Sequence, residues 1–227
     1  MRENRYLFAC TLIILFGIGC ANEPEPETVT EAPTLPPVAP VRHIDLEGQP
    51  NFRDIGGYEA TDGRTIKWGE LYRSGELPHL TDADVAELEE LEINTVVNFL
   101  LPEEIEMNGS DRLPEGTREV PAPIHGDRAA ELTMVAQTAI KTADFDKIPP
   151  EMNPEFHRLL LDEGKGESAE LWREAADPAK RPLVVHCSHG VHRTGTATAS
   201  LRAARGVPWD TLRAEDLLTT TGRAAEG

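Results

Sequence analysis

Ten consecutive residues, 186–195, read HCSHGVHRTG and combine the groups that nucleophilic attack on a phosphorus atom requires. Cys187 supplies a thiol, and the thiolate is the nucleophilic form of cysteine. Arg193 supplies a planar guanidinium that can hold two oxygens of one phosphate. Thr194 can donate a hydroxyl hydrogen bond to the sulfur, and His186 can orient the loop through a ring N–H. The segment therefore predicts a cysteine nucleophile beside an arginine that binds phosphate.

The elements on either side of this segment predict how it is held. Residues 182–186 (PLVVH) have the pattern of a buried strand, and residues 193–205 have that of a helix. A tight loop that leads into a helix N-terminus directs backbone N–H groups and positive potential at an anion. Gly190 and Gly195 allow the loop to turn and the helix to pack closely. In that field we expect the Cys187 thiol to be ionised at neutral pH.

The remainder of residues 42–227 alternates extended and helical patterns, which predicts a single α/β domain. We expect a central, mainly parallel twisted sheet with flanking helices and the 186–195 loop between a strand and a helix. The other predicted strands are residues 93–100 and 117–120, with a hairpin turn at Asp62-Gly63 near extended segments 65–68 and 70–73. One further helix is predicted to begin at Thr81 with Asp84. Others are predicted over residues 129–141, parts of 154–162 and 167–176, and 210–219. Residues 51–58 are predicted as a loop.

The N-terminus has the pattern of an exported, tethered protein. Residues 1–19 predict a signal peptide, because two arginines precede an apolar run that is shorter than the roughly 20 residues of a membrane-spanning helix. Gly19-Cys20 resembles the end of a bacterial lipoprotein signal, after which the cysteine carries the lipid. Residues 20–41 are rich in Pro and Glu and predict an extended linker. We expect a lipid anchor on Cys20 and a location on the periplasmic or cell-surface side of a membrane, with an ordinary signal peptide or an uncleaved anchor as alternatives.

Composition excludes several other classes of protein. The 227 residues contain 22 Lys and Arg against 40 Asp and Glu, a net charge of −18, which argues against nucleic acid as a partner. Three cysteines do not build a disulfide framework. His186, His189 and His192 are spaced by three on a loop that wraps an anion, so their rings diverge, and we expect neither a metal nor a cofactor. The sequence carries no signal for an oligomeric state.

Residues 186–195 are similar to the signature loop of the cysteine-dependent protein tyrosine and dual-specificity phosphatase superfamily. Residues 51–58, 69–75 and 93–97 are spaced as in its bacterial tyrosine-phosphatase-like members. The resemblance implies a phosphomonoester hydrolase that acts on a phosphorylated protein or a small phosphomonoester through a phosphocysteine intermediate on Cys187.

The resemblance also implies roles for individual loop residues. Arg193 and the loop amides bind the phosphoryl group and stabilise its transition state, and Thr194 assists departure of the thiolate. The implied substrate-binding residues are Ser188, His189, Gly190, Val191, His192, Arg193 and Thr194. The loop departs from its bacterial relatives at two positions, because many of them carry Asp where this chain has His192, and some carry Lys where it has Val191.

The alkoxide or phenoxide that leaves phosphorus needs a proton from a nearby acid. Superfamily members usually take it from an aspartate on a separate loop, and Asp127 is the first candidate because it follows a predicted strand on a glycine-containing loop. His192 is the second, since an imidazole beside Arg193 can act as an acid near neutral pH. Asp54, Asp144 and Asp146 rank lower. The acidic runs at residues 87–92 and 103–106 are predicted to be solvated faces.

Two other functions remain open on the sequence alone. The first is a phosphate-binding or signalling lipoprotein that keeps the anion cradle but lacks a working acid. The second is a rhodanese-like sulfurtransferase, which also uses a loop cysteine, although such loops usually lack the Arg-Thr-Gly ending found at residues 193–195.

Overall fold

A five-stranded mixed sheet with helices on both faces forms the centre of the protein, whose computed structural model describes residues 41–124, 126–149 and 151–223. The strands are β1 (Arg53–Asp54), β2 (Leu71–Ser74), β3 (Thr95–Asn98), β4 (Arg118–Pro121) and β5 (Leu183–His186). The helices are α1 (Asp82–Glu90), α2 (Pro102–Asn108), α3 (Asp127–Thr142), α4 (Met152–Asp162), α5 (Lys165–Ala176), α6 (His192–Ala204) and α7 (Trp209–Arg223). Within the three described ranges, no helix has the length and apolar character needed to span a bilayer.

The order of the strands places β5 at the centre of the sheet. The order is β1-β2-β5-β3-β4, in which β1 runs antiparallel to β2 and all other neighbours are parallel, so the prediction of a mainly parallel sheet is confirmed. His186, the last residue of β5, pairs with Ser74 on one side and with Asn98 on the other. The segments that follow β2, β3 and β5 therefore leave the sheet at the same edge.

Alternate residues of the central strands build a hydrophobic core on each face of the sheet. Val97 and Val185 point into the larger core, which packs against residues of α3, α4, α5 and α6. Val96 and Val184 point into the second core, which includes Leu88 of α1. All residues of β3 and β5 are buried, because both faces of these strands are covered, as expected for a parallel sheet.

The structure differs from two local predictions. The Asp62-Gly63 turn does reverse the chain, but it joins residues 57–60 to residues 64–66, with Ala60 N 2.7 Å from Arg64 O. Residues 71–73 instead enter the sheet as part of β2. The predicted loop at 51–58 contains β1, a two-residue edge strand that is too short to carry a period-two pattern.

Candidate functional site

A small depression of about 60 Å³ lies where the loop after β5 leads into α6. Cys187 lines it, and although the side chain is only 3% exposed it faces this opening. One wall is formed by Ser188, His189, Val191, His192 and Arg193, and the other by Thr133, Ala136, Gln137 and Ile140 of α3 together with Phe156 of α4. The structure thus brings most of the predicted loop residues together around Cys187.

Neighbouring segments bind the backbone carbonyls of this loop. The carbonyl oxygens of residues 186, 188, 189 and 190 accept, in that order, from Phe99 N (3.0 Å), Glu76 N (3.0 Å), Asn51 Nδ2 (2.9 Å) and Arg73 Nη2 (2.7 Å). Each of these carbonyls is engaged by a group outside the loop, so their negative ends are not free to repel an anion beside Cys187. The loop is therefore fixed in shape before any ligand binds.

The two glycines of this segment, Gly190 and Gly195, lie close to neighbouring elements. Gly190 has a φ of +66°, and a Cβ at that position would lie 2.3 Å from Ser74 O. A Cβ on Gly195 would lie 2.8 Å from Asp216 Oδ1. The loop at Gly190 therefore approaches the backbone of β2 more closely than a larger residue would allow, whereas a Cβ on Gly195 would require the half-exposed Asp216 side chain to shift.

The guanidinium of Arg193 is held by Glu104 from α2. Arg193 Nη1 donates to Glu104 Oε2 at 2.5 Å and to Phe99 O at 2.8 Å, while Nη2 donates to Glu104 Oε1 at 2.7 Å and to Ser188 Oγ at 3.2 Å. Burial works against the charged form of Arg193, but the hydrogen bonds to Glu104 and the charge of Cys187 outweigh it and raise the pKa of Arg193. Arg193 is thus a cation next to Cys187.

Glu104 is a site residue that the sequence did not reveal, and the prediction of a solvated face at 103–106 is wrong for it. Glu104 is fully buried because α2 turns this position inward, and its Oε2 also accepts from Leu101 N at 2.9 Å. Burial favours the neutral acid, yet the hydrogen bond and charge of Arg193 hold the pKa of Glu104 below its usual value. Pro102 at the first position of α2, followed by Glu104 two residues later, was the only available signal of a helix start.

His186 contacts a second carboxylate that sequence reasoning missed. His186 Nε2 lies 2.8 Å from Asp111 Oδ2, and both side chains are completely buried. Asp111 also accepts from Leu77 N at 3.0 Å and from Asn98 Nδ2 at 3.1 Å. Burial alone would raise the pKa of Asp111, but the charge and hydrogen bond of His186 lower it below its usual value. His186 is therefore positioned at the strand end by an ionised carboxylate.

Thr194 differs from the sequence expectation. Its side chain is fully buried, and among the described residues its hydroxyl oxygen has no hydrogen-bond partner. The predicted hydrogen bond to the Cys187 sulfur is therefore not formed in this structure. The implied role of Thr194 in thiolate departure stays a prediction.

Asp127 does not lie at the depression in this structure. It is the first residue of α3 and is exposed, whereas the residues of α3 that line the depression begin six positions later, at Thr133. At 1.5 Å per residue that is roughly 9 Å along the helix. Its role as the acid stays a prediction.

The lower-ranked acids are also elsewhere. Asp54 is buried and accepts from Gly56 N and Gly69 N, both at 2.6 Å, so it holds a turn together. Asp144 and Asp146 lie beyond the C-terminal end of α3 and do not line the depression.

His192 does line the depression. It is the first residue of α6, and its Nε2 lies 3.0 Å from Asn153 Oδ1 on α4. Its ring packs against the rings of Phe156 and His157, with centroid separations of 5.3 and 5.2 Å. These contacts hold the imidazole beside Arg193 at the rim of the site.

A buried ionic cluster supports the loop from behind. The three arginines Arg53, Arg73 and Arg202 all contact the carboxylate of Glu215 on α7, at 2.8, 2.9 and 2.5 Å. Burial opposes ionisation of Glu215, but the three cations lower its pKa to about 2. Because Arg73 also donates to Gly190 O, the cluster joins α7 to the loop between β5 and α6.

Comparison with known proteins shows what the chain is similar to. A protein of Cupriavidus necator named as a tyrosine-protein phosphatase is 30% identical over 192 residues, covering 83% of this chain and 67% of that protein. The triple specificity protein phosphatase PtpB of Mycobacterium tuberculosis is 29% identical over 190 residues, covering 76% of this chain and 67% of PtpB.

Among solved structures, TpbA of P. aeruginosa in complex with phosphotyrosine is similar at 23% identity, with 67% of this chain and 70% of that one covered and a TM-score of 0.35. The catalytic core of Siw14 is similar at 14% identity, with 66% and 70% covered and a TM-score of 0.40. The family model described as the tyrosine phosphatase family matches residues 44–226, which span the sheet, the depression and the Arg193–Glu104 pair. The chain therefore belongs to the tyrosine phosphatase family.

Proposed function

We propose that this protein hydrolyses phosphomonoesters through a phosphocysteine on Cys187, with phosphotyrosine in proteins as its main substrate and dual specificity towards other phosphorylated residues. The observation that carries the proposal is the position of Arg193, a cation that Glu104 holds beside the sulfur in a depression they share. Family membership supports the same chemistry, and it does not support the sulfurtransferase alternative.

The reaction has two displacement steps at phosphorus. In the first, the Cys187 thiolate attacks, the S–P bond forms and the P–O ester bond breaks, so that the leaving oxygen takes a proton from an acid. In the second, the deprotonated acid takes a proton from water, whose oxygen attacks the phosphocysteine; the P–S bond breaks, phosphate leaves, and both the thiolate and the protonated acid are restored. Arg193 stabilises the charge on the equatorial oxygens in both steps without having to move, because Glu104 already fixes it.

An aryl phosphate suits the walls of the depression. Ala136, Ile140, Phe156 and Val191 present apolar surface around the site, and Phe156 adds an aromatic ring. Apolar and aromatic walls favour the ring of phosphotyrosine over the short aliphatic chain of phosphoserine.

His192 is the proton donor that we propose for the leaving group. It lines the depression and adjoins Arg193, whereas Asp127 lies about two helical turns away. The other charged side chain that Arg193 contacts, Glu104, is held ionised and engaged, so it has no proton to give. Because no aspartate or glutamate lines the depression within the described ranges, phosphate binding without turnover is the second candidate function.

The test is turnover of p-nitrophenyl phosphate by the full chain, compared with Cys187→Ser. We expect vanadate-sensitive hydrolysis that the substitution abolishes, together with a covalent phosphoprotein trapped by rapid denaturation during turnover of the unaltered chain. Paired phosphotyrosine and phosphoserine peptides then measure specificity. Vanadate binding without turnover would support the phosphate-binding candidate, and turnover that survives Cys187→Ser would contradict the proposed nucleophile.

The N-terminal segment supports a proposal on location. We propose that residues 1–19 are removed as a signal, that Cys20 carries a lipid, and that residues 20–41 tether the domain 42–227 on the outer side of a membrane. Residues 1–40 lie outside the described ranges, so this proposal is supported by their sequence pattern alone. In cells labelled with a radioactive fatty acid, Cys20→Ser should lose the label and leave the membrane fraction, while Cys10→Ser should behave as the unaltered chain does. A Cys20→Ser protein that still carries label would contradict the proposal.

A further inference from the structure

A second cavity, of about 240 Å³, lies at the edge of the sheet opposite the catalytic loop. It is bordered by Leu71 at the start of β2, by Arg181 just before β5, and by the C-terminal half of α6. Cys187 follows the other end of β5, so roughly 13 Å of strand separates the two sites. We call this space the rear cavity.

The charged residues of the rear cavity are almost all basic. They are Arg64, Lys67, Arg181, Arg202 and Arg205, with Glu70 as the single acid. The whole chain has a net charge of −18, whereas the lining of this cavity has five bases and one acid, so the local charge is opposite in sign to that of the chain. Such a concentration of positive charge in a concave site attracts anions.

Arg202 places a buried positive charge in the wall of the cavity, with its guanidinium carbon 5.4 Å from the centre of the Tyr58 ring. The side chain is fully buried, with Nη2 2.5 Å from Glu215 Oε2 and Nε 3.1 Å from Thr198 O. Its third nitrogen, Nη1, is also buried and has no hydrogen-bond partner in the described part of the chain. Because Nη1 has almost no accessible surface, Arg202 contributes positive charge to the cavity rather than a hydrogen bond.

The cluster to which Arg202 belongs contains more positive than negative charge. Arg53, Arg73 and Arg202 share Glu215, and the next nearest carboxylate, Asp216, is half exposed and lies 3.3 Å from Arg73 alone. An excess of buried cations costs free energy unless an anion compensates it.

The remaining bases leave positive charge at the mouth of the cavity. Lys67 and Arg181 share one carboxylate, that of Glu70. Arg205, at the end of α6, is exposed, and none of the ion pairs of the described ranges includes it. Arg64 is exposed and pairs with the exposed Asp62 at 2.7 Å, which lies outside the lining of the cavity. Glu70 and Asp62 together are still fewer than the bases, so the group keeps a net positive charge.

The walls between these charges are apolar. Ile66, Leu71, Leu201 and two alanines line the same space. A ligand that fits would combine an anionic head with a compact apolar body, and several guanidinium groups match a phosphate dianion better than a single carboxylate.

We propose that the rear cavity binds a small organic phosphate, with the phosphate held by Arg205 and Arg64, the buried positive charge of Arg202 behind them, and the apolar part against Ile66 and Leu201. This site is separate from the depression at Cys187, and its existence does not depend on the proposed hydrolase activity.

The probe is phenylphosphonate, which has a P–C bond in place of the ester bond and therefore cannot be hydrolysed. Its binding is measured by NMR on the ¹⁵N-labelled full chain. Amides of residues 188–194 report on the catalytic loop, and amides of residues 64–67 and 201–206 report on the rear cavity. We expect saturable shifts in the second group. Arg205→Ala and Arg64→Ala should each weaken the affinity measured there about tenfold, as loss of a charge-assisted hydrogen bond does.

The control is Lys165→Ala, which removes an exposed base on α5 outside the cavity and should change neither group of shifts. Rear-cavity shifts that do not saturate, or an affinity that neither arginine variant alters, would overturn the proposal. An absence of shifts in residues 188–194 alone would contradict the proposed function and leave the rear cavity supported, so the two failures are distinguishable.

Discussion

Arg193 and Glu104 form a buried ion pair with two parallel hydrogen bonds, Nη1 to Oε2 at 2.5 Å and Nη2 to Oε1 at 2.7 Å. The pair joins the first turn of α6 to the first turn of α2, and Phe99 O accepts a further bond from the same guanidinium. The plane of the guanidinium is therefore set by the protein and not by the substrate. A group that is already oriented stabilises the transition state without a cost of reorganisation.

Replacing Glu104 should disable the site through Arg193 rather than through the nucleophile. Glu104→Gln leaves a buried guanidinium without its counter-charge, so we expect the free energy of unfolding to fall by about 3 kcal/mol. We also expect kcat/KM for p-nitrophenyl phosphate to fall more than tenfold and vanadate to bind more weakly, because the guanidinium is free to rotate.

The control for this prediction is the adjacent, exposed Glu103, since Glu103→Gln changes the net charge equally without touching Arg193. Unfolding in urea, steady-state kinetics and vanadate inhibition give the three measurements. Unchanged vanadate inhibition in Glu104→Gln would show that the ion pair does not position Arg193.

The catalytic loop and the alternation of strands and helices were predictable from the sequence because each is a local signal. Residues 182–186 form an apolar run bounded by proline, and the loop after them contains Cys187, Arg193 and two glycines at fixed spacing. Local periodicity and turn chemistry are the features that a sequence displays directly.

Glu104 and Asp111 were not predictable, because what distinguishes them is a partner far along the chain. Glu104 pairs with a residue 89 positions away, and one buried glutamate within an acidic run is indistinguishable from its exposed neighbours. Glu215 likewise meets Arg53 across 162 positions. Such contacts depend on which distant segments meet in the folded chain, and no local pattern encodes that.

The identity of the proton donor can be decided with two matched variants. We expect His192→Asn to lower kcat about a hundredfold with p-nitrophenyl phosphate and to flatten the arm of the pH–rate profile on which a protonated acid is lost. Asp127→Asn should leave the profile unchanged, because its carboxylate lies outside the depression. A substrate with a better leaving group should be less affected by His192→Asn, since it needs less protonation. The reverse pattern between the two variants would return the role to Asp127.

Gly190 should not tolerate even a methyl group, for two reasons: its left-handed backbone and its close contact with β2. A second glycine, Gly116, has the first feature without the second, so it separates the two effects. Gly190→Ala combines a left-handed backbone with a Cβ 2.3 Å from Ser74 O, whereas Gly116→Ala has a φ of +87° with no atom within 4 Å. We expect Gly116→Ala to cost about 1–2 kcal/mol of unfolding free energy and to keep full activity. Gly190→Ala should cost more and abolish turnover, because the loop must move away from β2. Equal losses in both variants would mean that backbone strain alone acts at Gly190.

Glu215 should make stability depend on pH in acid. Its pKa of about 2 in the folded protein lies below the ordinary value of 4.5, because three arginines outweigh the effect of burial. A carboxylate whose pKa is lower in the folded than in the unfolded state contributes its full stabilisation at pH values above the unfolded-state pKa. That contribution is lost as the pH falls to the folded-state pKa. We therefore expect about 3 kcal/mol from this group at neutral pH, lost between about pH 4.5 and pH 2. Urea unfolding at a series of pH values should show the difference between the unaltered chain and Glu215→Gln shrinking across that window, while the exposed Glu59→Gln follows the unaltered chain. A difference that stays constant with pH would show that the arginines stabilise Glu215 through packing and not through its charge.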